Sequence, residues 1–126
     1  MIADSSAIVA ILKDEPEAAE FMAVISREVT RVSAASMLES AMVIKPSRFI
    51  DLDQLLEDAE ITVVPFDGDQ AKIARDAFAQ FGKMSGSKAR LNFGDCIAYA
   101  LAKVTGEPLL FKGDDFTHTD VISARG

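Results

Sequence analysis

The sequence predicts an α/β domain whose mostly parallel sheet is covered on both faces by helices. Three observations carry that expectation. Strand-like runs of three or four residues recur at Met1–Ala3, Arg31–Ala34, Ile61–Val64 and Leu109–Phe111. Between them lie segments whose apolar residues repeat at helical spacing. No repeat, low-complexity tract or linker interrupts the 126 residues, so 1–126 reads as one domain with room for a full core.

Each element has its own signal. Met1–Ala3 ends at an acid, Asp4, and Ser5–Leu12 then turns helical. Glu15-Pro16-Glu17 marks the start of a second helix, with Ala19, Phe21, Met22 and Ile25 as its apolar set and an end near Arg27–Thr30. Arg31–Ala34 is a brief strand, and the helix Ala35–Ile44 is stopped by Lys45-Pro46. Phe49–Glu60 is amphipathic through Leu52, Leu55, Leu56 and Ala59. The β-branched strand Ile61–Val64 closes at Pro65, and Asp67–Phe81 forms a helix with Ala71, Ala74, Ala77 and Phe78 facing inward. The loop "GKMSGSKARLN" follows, then a nearly all-apolar helix from Asp95, the strand Leu109–Phe111, a turn at Gly113–Asp115 and a last short strand near Val121–Ile122.

Composition excludes several classes. With 49% hydrophobic and 26% charged residues the chain is ordinary for a globular protein, and no apolar run approaches the ~18 residues of a membrane span. Its start lacks the basic region and small-residue cleavage site of a secretory signal. A single cysteine, Cys96, permits no internal disulfide and reads as a small core residue, and together these features point to the cytoplasm. A net charge of −7 argues against coating nucleic acid through bulk positive charge. It leaves open an enzyme that gathers carboxylates to hold cations.

The acids fall in a pattern. In open parallel sheets, functional sites lie beyond the carboxyl ends of the strands. Asp4 directly follows the first strand, Asp114 and Asp115 follow the last apolar one, and Asp95 starts the helix leading into it. Glu39 sits in "SAASMLESAMVI", a helix apolar nearly all round, with no basic residue at helical pairing distance on its C-terminal side. Two readings stand for each position. Asp4 and Asp95 suit helix caps, Asp114 and Asp115 suit a turn, and Glu39 can reach for solvent. Alternatively the acids converge on one sheet edge, where only cations relieve their repulsion. Oxygen ligands without Cys or His suit Mg²⁺ or Mn²⁺ rather than zinc.

Four stretches, "MIADSSAIVAILKDEPEA", "SAASMLESAMV", "LNFGDCIAYALAKVTGEPLLFKGDDF" and "TDV", closely resemble the PIN-domain ribonucleases, specifically the VapC toxins of bacterial toxin–antitoxin pairs. The likeness runs over nearly the whole chain, in the same order and spacing. It implies a three-layer α/β/α sandwich with an acidic metal site at the carboxyl edge of the sheet. It also implies Mg²⁺- or Mn²⁺-dependent hydrolysis of RNA and inhibition by a VapB-type antitoxin. The family's acids fall on Asp4, Glu39, Asp95 and Asp114, with Asp115 as the competing choice for the fourth. Its hydroxyl residues fall on Ser5 and Ser6, and its polar residue before the third acid on Asn92. The segment between Glu39 and Ile61 is shorter than in many relatives.

On this resemblance Asp4 and Asp95 are the primary metal ligands, while Glu39 and Asp114 hold waters of the metal shell, bind a second ion or orient the attacking water. Ser6 and Asn92 fix these carboxylates by hydrogen bonds. Lys83, Lys88 and Arg90 of the glycine-rich loop, with Lys112, are the candidate contacts for RNA, and the lone histidine, His118, is a loop residue. The acidic site also invites a basic side chain from the antitoxin, in competition with metal. Phe21, Met22, Ile25, Phe49 and Leu52 exceed what so small a core buries, which predicts a homodimer and a groove for an antitoxin helix. The alternative is a degenerate member of the same fold that binds metal or a partner and cuts nothing.

Overall fold

The computed structural model describes residues 1–125. Its elements, in order, are β1 (Ile2–Ala3), α1 (Ser5–Leu12), α2 (Ala18–Arg27), β2 (Arg31–Ser33), α3 (Ala34–Ile44), α4 (Phe49–Asp58), β3 (Thr62–Val64), α5 (Gly68–Phe81), α6 (Phe93–Thr105) and β4 (Leu109–Leu110). Short 3-10 turns at Pro46–Arg48 and Asp115–His118 complete them. Polar residues start most of the helices. Asp4, Ser33 and Asp67 each accept a backbone N–H from the first turn they precede. Asn92 and Asp95 cap α6 reciprocally, and Gly106 ends it in the left-handed region (φ 70°) that a side chain disfavours.

The four strands are all parallel, in the order β3-β2-β1-β4. The chain therefore lays down β1, β2 and β3 outward in one direction, then returns to place β4 on the far side of β1. Alternate residues of a strand point to opposite faces, and the two cores divide accordingly. Ile2 and Leu109 join α5 and α6 on one face, while Ala3, Val32 and Leu110 join α1 to α4 on the other. Three layers result, as the resemblance implies. Leu101, 1% exposed, sits in the middle of the α6 face. Leu101→Ala is expected to cost about 2–5 kcal/mol in unfolding free energy, read as a lower denaturant midpoint at unchanged slope.

Some local expectations change. The α2 helix begins at Ala18, after a turn through Pro16, and the expected strand at Val121–Ile122 reduces to one bridge between Leu109 and Ser123. Ala74 and Ala77 of α5 face inward, but Ala71 and Phe78 face outward. Phe21, Ile25 and Leu52, expected to spill onto an interaction surface, are buried in the α1–α4 core. Met22 and Phe49 of that set are exposed as expected, and Leu38, Met42, Val43 and Ile50 are exposed with Phe49 on α3 and the start of α4. This also corrects the picture of α3, which has a surface-facing side despite its composition.

Candidate active site

The reversal between β1 and β4 is the point where an open parallel sheet forms a crevice at its carboxyl edge. Asp4 stands there. Its backbone N–H donates to the Leu110 carbonyl at 2.9 Å, and its side chain, 3% exposed, caps α1. Oδ2 accepts the Ser6 N–H at 3.1 Å and the Ser6 hydroxyl at 2.5 Å. The same Ser6 oxygen accepts the Lys112 N–H at 3.0 Å, which ties the carboxylate to the loop that follows β4. Oδ1 is buried and has no hydrogen-bond partner. Burial therefore pushes the Asp4 carboxyl up to about 7, against the lowering effect of Ser6 and aided by the charges of Asp95 and Glu39.

Glu39 is half-buried on α3, and its Oε1 accepts the Ser5 hydroxyl at 2.6 Å. Consecutive serines thus serve two different acids: Ser5 holds Glu39 and Ser6 holds Asp4. Asp95 is also half-buried. Its Oδ2 accepts the Asn92 N–H at 3.0 Å, and Asn92 returns the bond at 2.9 Å, so the capping reading of Asp95 is correct as far as it goes. Capping uses one oxygen of two. Burial raises the Asp95 carboxyl above its ordinary range; the Asn92 N–H opposes this, the charges of Asp115 and Glu39 add to it, and Lys83 counters them.

Asp114 and Asp115 are both exposed and lie at the start of the 3-10 turn. The Asp114 carbonyl accepts from the Thr117 N–H and hydroxyl. Of this adjacent pair, it is Asp115 whose charge acts on Asp95. Asp95 therefore feels the charges of Glu39 and Asp115, and Asp4 those of Asp95 and Glu39, the four coming from the N-cap of α1, the middle of α3, the first turn of α6 and the turn after β4.

Among the described residues, no three His, Cys, Asp or Glu side chains converge closely enough to enclose an ion by themselves. The donor set nevertheless fits a hard divalent cation. Mg²⁺ is typically held by one or two carboxylates and keeps several waters, so direct enclosure by three is not required. The orphaned, buried Oδ1 of Asp4 is a ligand atom lacking a partner, and a neighbouring positive charge would reverse the burial penalty on its carboxylate. The neighbouring thiol is unsuited to ligation or nucleophilic work, because burial and then the Asp95 charge push Cys96 up to about 11.

The basic residues separate into two groups. Lys112, one of the expected RNA contacts, is paired with Glu15 at 3.2 Å and Glu17 at 3.5 Å. Lys83, Lys88 and Arg90 are exposed on the loop before α6, and Lys83 is near enough to lower the Asp95 carboxyl. His118 is exposed on its turn. One feature escaped the sequence reading: Gly94, whose place beside Glu39 becomes visible only when α3 and α6 are seen together.

The fold and the acidic crevice agree with comparisons to known proteins. A family model described as PIN domain matches residues 1–122. The chain is 51% identical over 126 residues to Ribonuclease VapC28 of Mycobacterium tuberculosis and to VapC ribonuclease Mb0625 of Mycobacterium bovis, covering 96% of this chain and 95% of each relative. Ribonuclease VapC30 of Mycobacterium tuberculosis is 46% identical over 127 residues. A match over almost the whole chain, at about half identity, establishes descent as well as shape: the protein belongs to the PIN domain family, within its VapC branch.

Proposed function

We propose that the protein is the toxin of a type II toxin–antitoxin pair, a Mg²⁺- or Mn²⁺-dependent endoribonuclease that hydrolyses phosphodiester bonds of RNA in the cytoplasm. The observation that carries this reading is the buried, unpartnered Oδ1 of Asp4 beside the charges of Asp95 and Glu39, at the point where the sheet order reverses. Asp4 and Asp95 hold the cation. Glu39, fixed by Ser5, and an acid of the loop after β4 orient its water shell. The coupling to Asp95 favours Asp115 for that last place over Asp114. Bound there, the cation supplies Lewis acidity toward a phosphate oxygen and makes water a better nucleophile. With no histidine beside these acids, the water's proton passes to a carboxylate or to solvent. Lys83, Lys88 and Arg90 supply the local positive charge that a domain of net charge −7 needs to receive RNA.

The partners follow from the surface. Leu38, Met42, Val43, Phe49 and Ile50 are exposed apolar side chains on the adjoining helices α3 and α4, the kind of surface that marks interaction sites. A VapB-type antitoxin helix and a second copy of the chain are the occupants this reading assigns to such surfaces. The test of activity is direct. Purified protein, freed of antitoxin, is incubated with end-labelled RNA in Mg²⁺, in Mn²⁺ and in excess chelator. Cleavage with either metal and none in chelator is the expected result. A metal-raised melting temperature with uncut RNA would identify the degenerate alternative.

A further inference from the structure

Gly94 lies in the first turn of α6, a helix otherwise rich in good helix formers, and it is buried. Alanine is the better residue for a helix interior, so the glycine needs a reason. A Cβ built at Gly94 would stand within 2.6 Å of the carboxylate carbon of Glu39, and its three nearest atoms all belong to that carboxylate. Neither the α3 backbone nor an apolar neighbour comes closer. General helix packing would have produced contacts of that other kind. The missing side chain makes room for one functional group.

From this we infer that Gly94 is a positioning residue: its lack of a Cβ lets the Glu39 carboxylate rest on the first turn of α6, between Ser5 and the Asp95 segment. Two sides of the carboxylate are then defined. Ser5 donates to Oε1 at 2.6 Å, and the bare backbone at Gly94 sets how near it comes to α6. The helix start also favours negative charge, which stabilises a carboxylate held against two other acids. A side chain at 94 would overlap the Glu39 carboxylate where it now rests, so Glu39 must shift from its present place beside Asp4 and Asp95. The effect reaches the cation through Glu39 and not through contact of residue 94 with substrate. This inference rests on the proposed role of Glu39 at the metal site.

Compensation tests it. Four variants, Gly94→Ala, Glu39→Asp, the double variant and Glu39→Gln, are compared with the full-length wild type. Mn²⁺ binding is followed by calorimetry without RNA, metal-free melting by circular dichroism, and RNA cleavage across a Mn²⁺ titration. Gly94→Ala is expected to weaken Mn²⁺ binding at least tenfold and cut cleavage at least a hundredfold. Glu39→Asp shortens the side chain by one methylene and makes room for the alanine methyl. The double variant should therefore bind Mn²⁺ and cleave at least tenfold better than Gly94→Ala alone. Should Gly94→Ala fail to fold, recovery of a cooperative melt in the double variant supports the inference, and absence of recovery overturns it. Wild-type Mn²⁺ binding in Gly94→Ala also overturns it, as does a double variant no better than the single. Glu39→Gln separates the two claims: if it binds Mn²⁺ and cleaves like wild type, the role of Glu39 fails and takes this inference with it. If it is inactive while Gly94→Ala is normal, only the inference about Gly94 fails.

Discussion

Asp95→Asn is expected to lose RNA cleavage by about 10²–10³-fold while its metal-free form melts at the wild-type temperature or higher. The capping box explains why the fold survives. An asparagine oxygen can accept the Asn92 N–H that Asp95 now accepts at 3.0 Å, and the returning bond to the Asp95 backbone N–H is unaffected. Asn caps a helix about as well as Asp. What the substitution removes is one negative charge from a group that includes Asp4, Glu39 and Asp115. Their mutual repulsion falls, and so does their hold on a divalent ion. Capping alone predicts normal cleavage. Only a ligand role predicts inactivity without loss of apo stability. Single-turnover rates and melting curves in chelator decide between them.

Asp4 gives the second large effect, and it is a pH dependence. Its carboxyl is raised from an ordinary 3.8 to about 7 in the fold, chiefly by burial. Between those values the folded state keeps a proton that the unfolded chain has lost. The stability of metal-free protein is therefore greatest on the acid side of this window, falls as pH rises through it, and levels off above about 7. One fully buried group with such a shift accounts for roughly 4 kcal/mol across the window. Urea midpoints in chelator at pH 5 and pH 8 capture the upper part of the fall, about 2.7 kcal/mol, and Asp4→Asn should remove most of it. Divalent cation acts in the opposite direction. At a hundred times its dissociation constant it adds about 2.7 kcal/mol at pH 8, and little at pH 5 where Asp4 is protonated. A pH profile identical in wild type and Asp4→Asn would contradict the burial of this charge.

What the sequence revealed follows from which physical signals are local. Helical periodicity and the polar residues opening α1 and α6 are local, so Asp4 and Asp95 were legible as element starts. The alternation of short strands with helices was enough to anticipate a parallel sheet, and the strand order then brings those starts to one edge. Amphipathicity is less informative about partners. It shows which side of a helix is apolar but not whether another helix covers it, which is why Phe21, Ile25 and Leu52 proved to be core. In α3 the error ran the other way, because an apolar composition concealed an exposed side carrying Leu38 and Met42. The pairing of Lys112 with Glu15 and Glu17 joins segments nearly a hundred residues apart and leaves no local trace.

On the proposed function, Asp4 and Asp95 hold a divalent cation at the β1–β4 reversal. Anomalous diffraction from crystals of the wild-type protein grown with Mn²⁺ tests it most directly. A single strong anomalous peak is expected within ligation distance of Oδ1 of Asp4 and a carboxylate oxygen of Asp95, lost in Asp95→Asn crystals grown identically. A peak bound elsewhere on the surface, with Asp4 Oδ1 still unpartnered at saturating Mn²⁺, would contradict it.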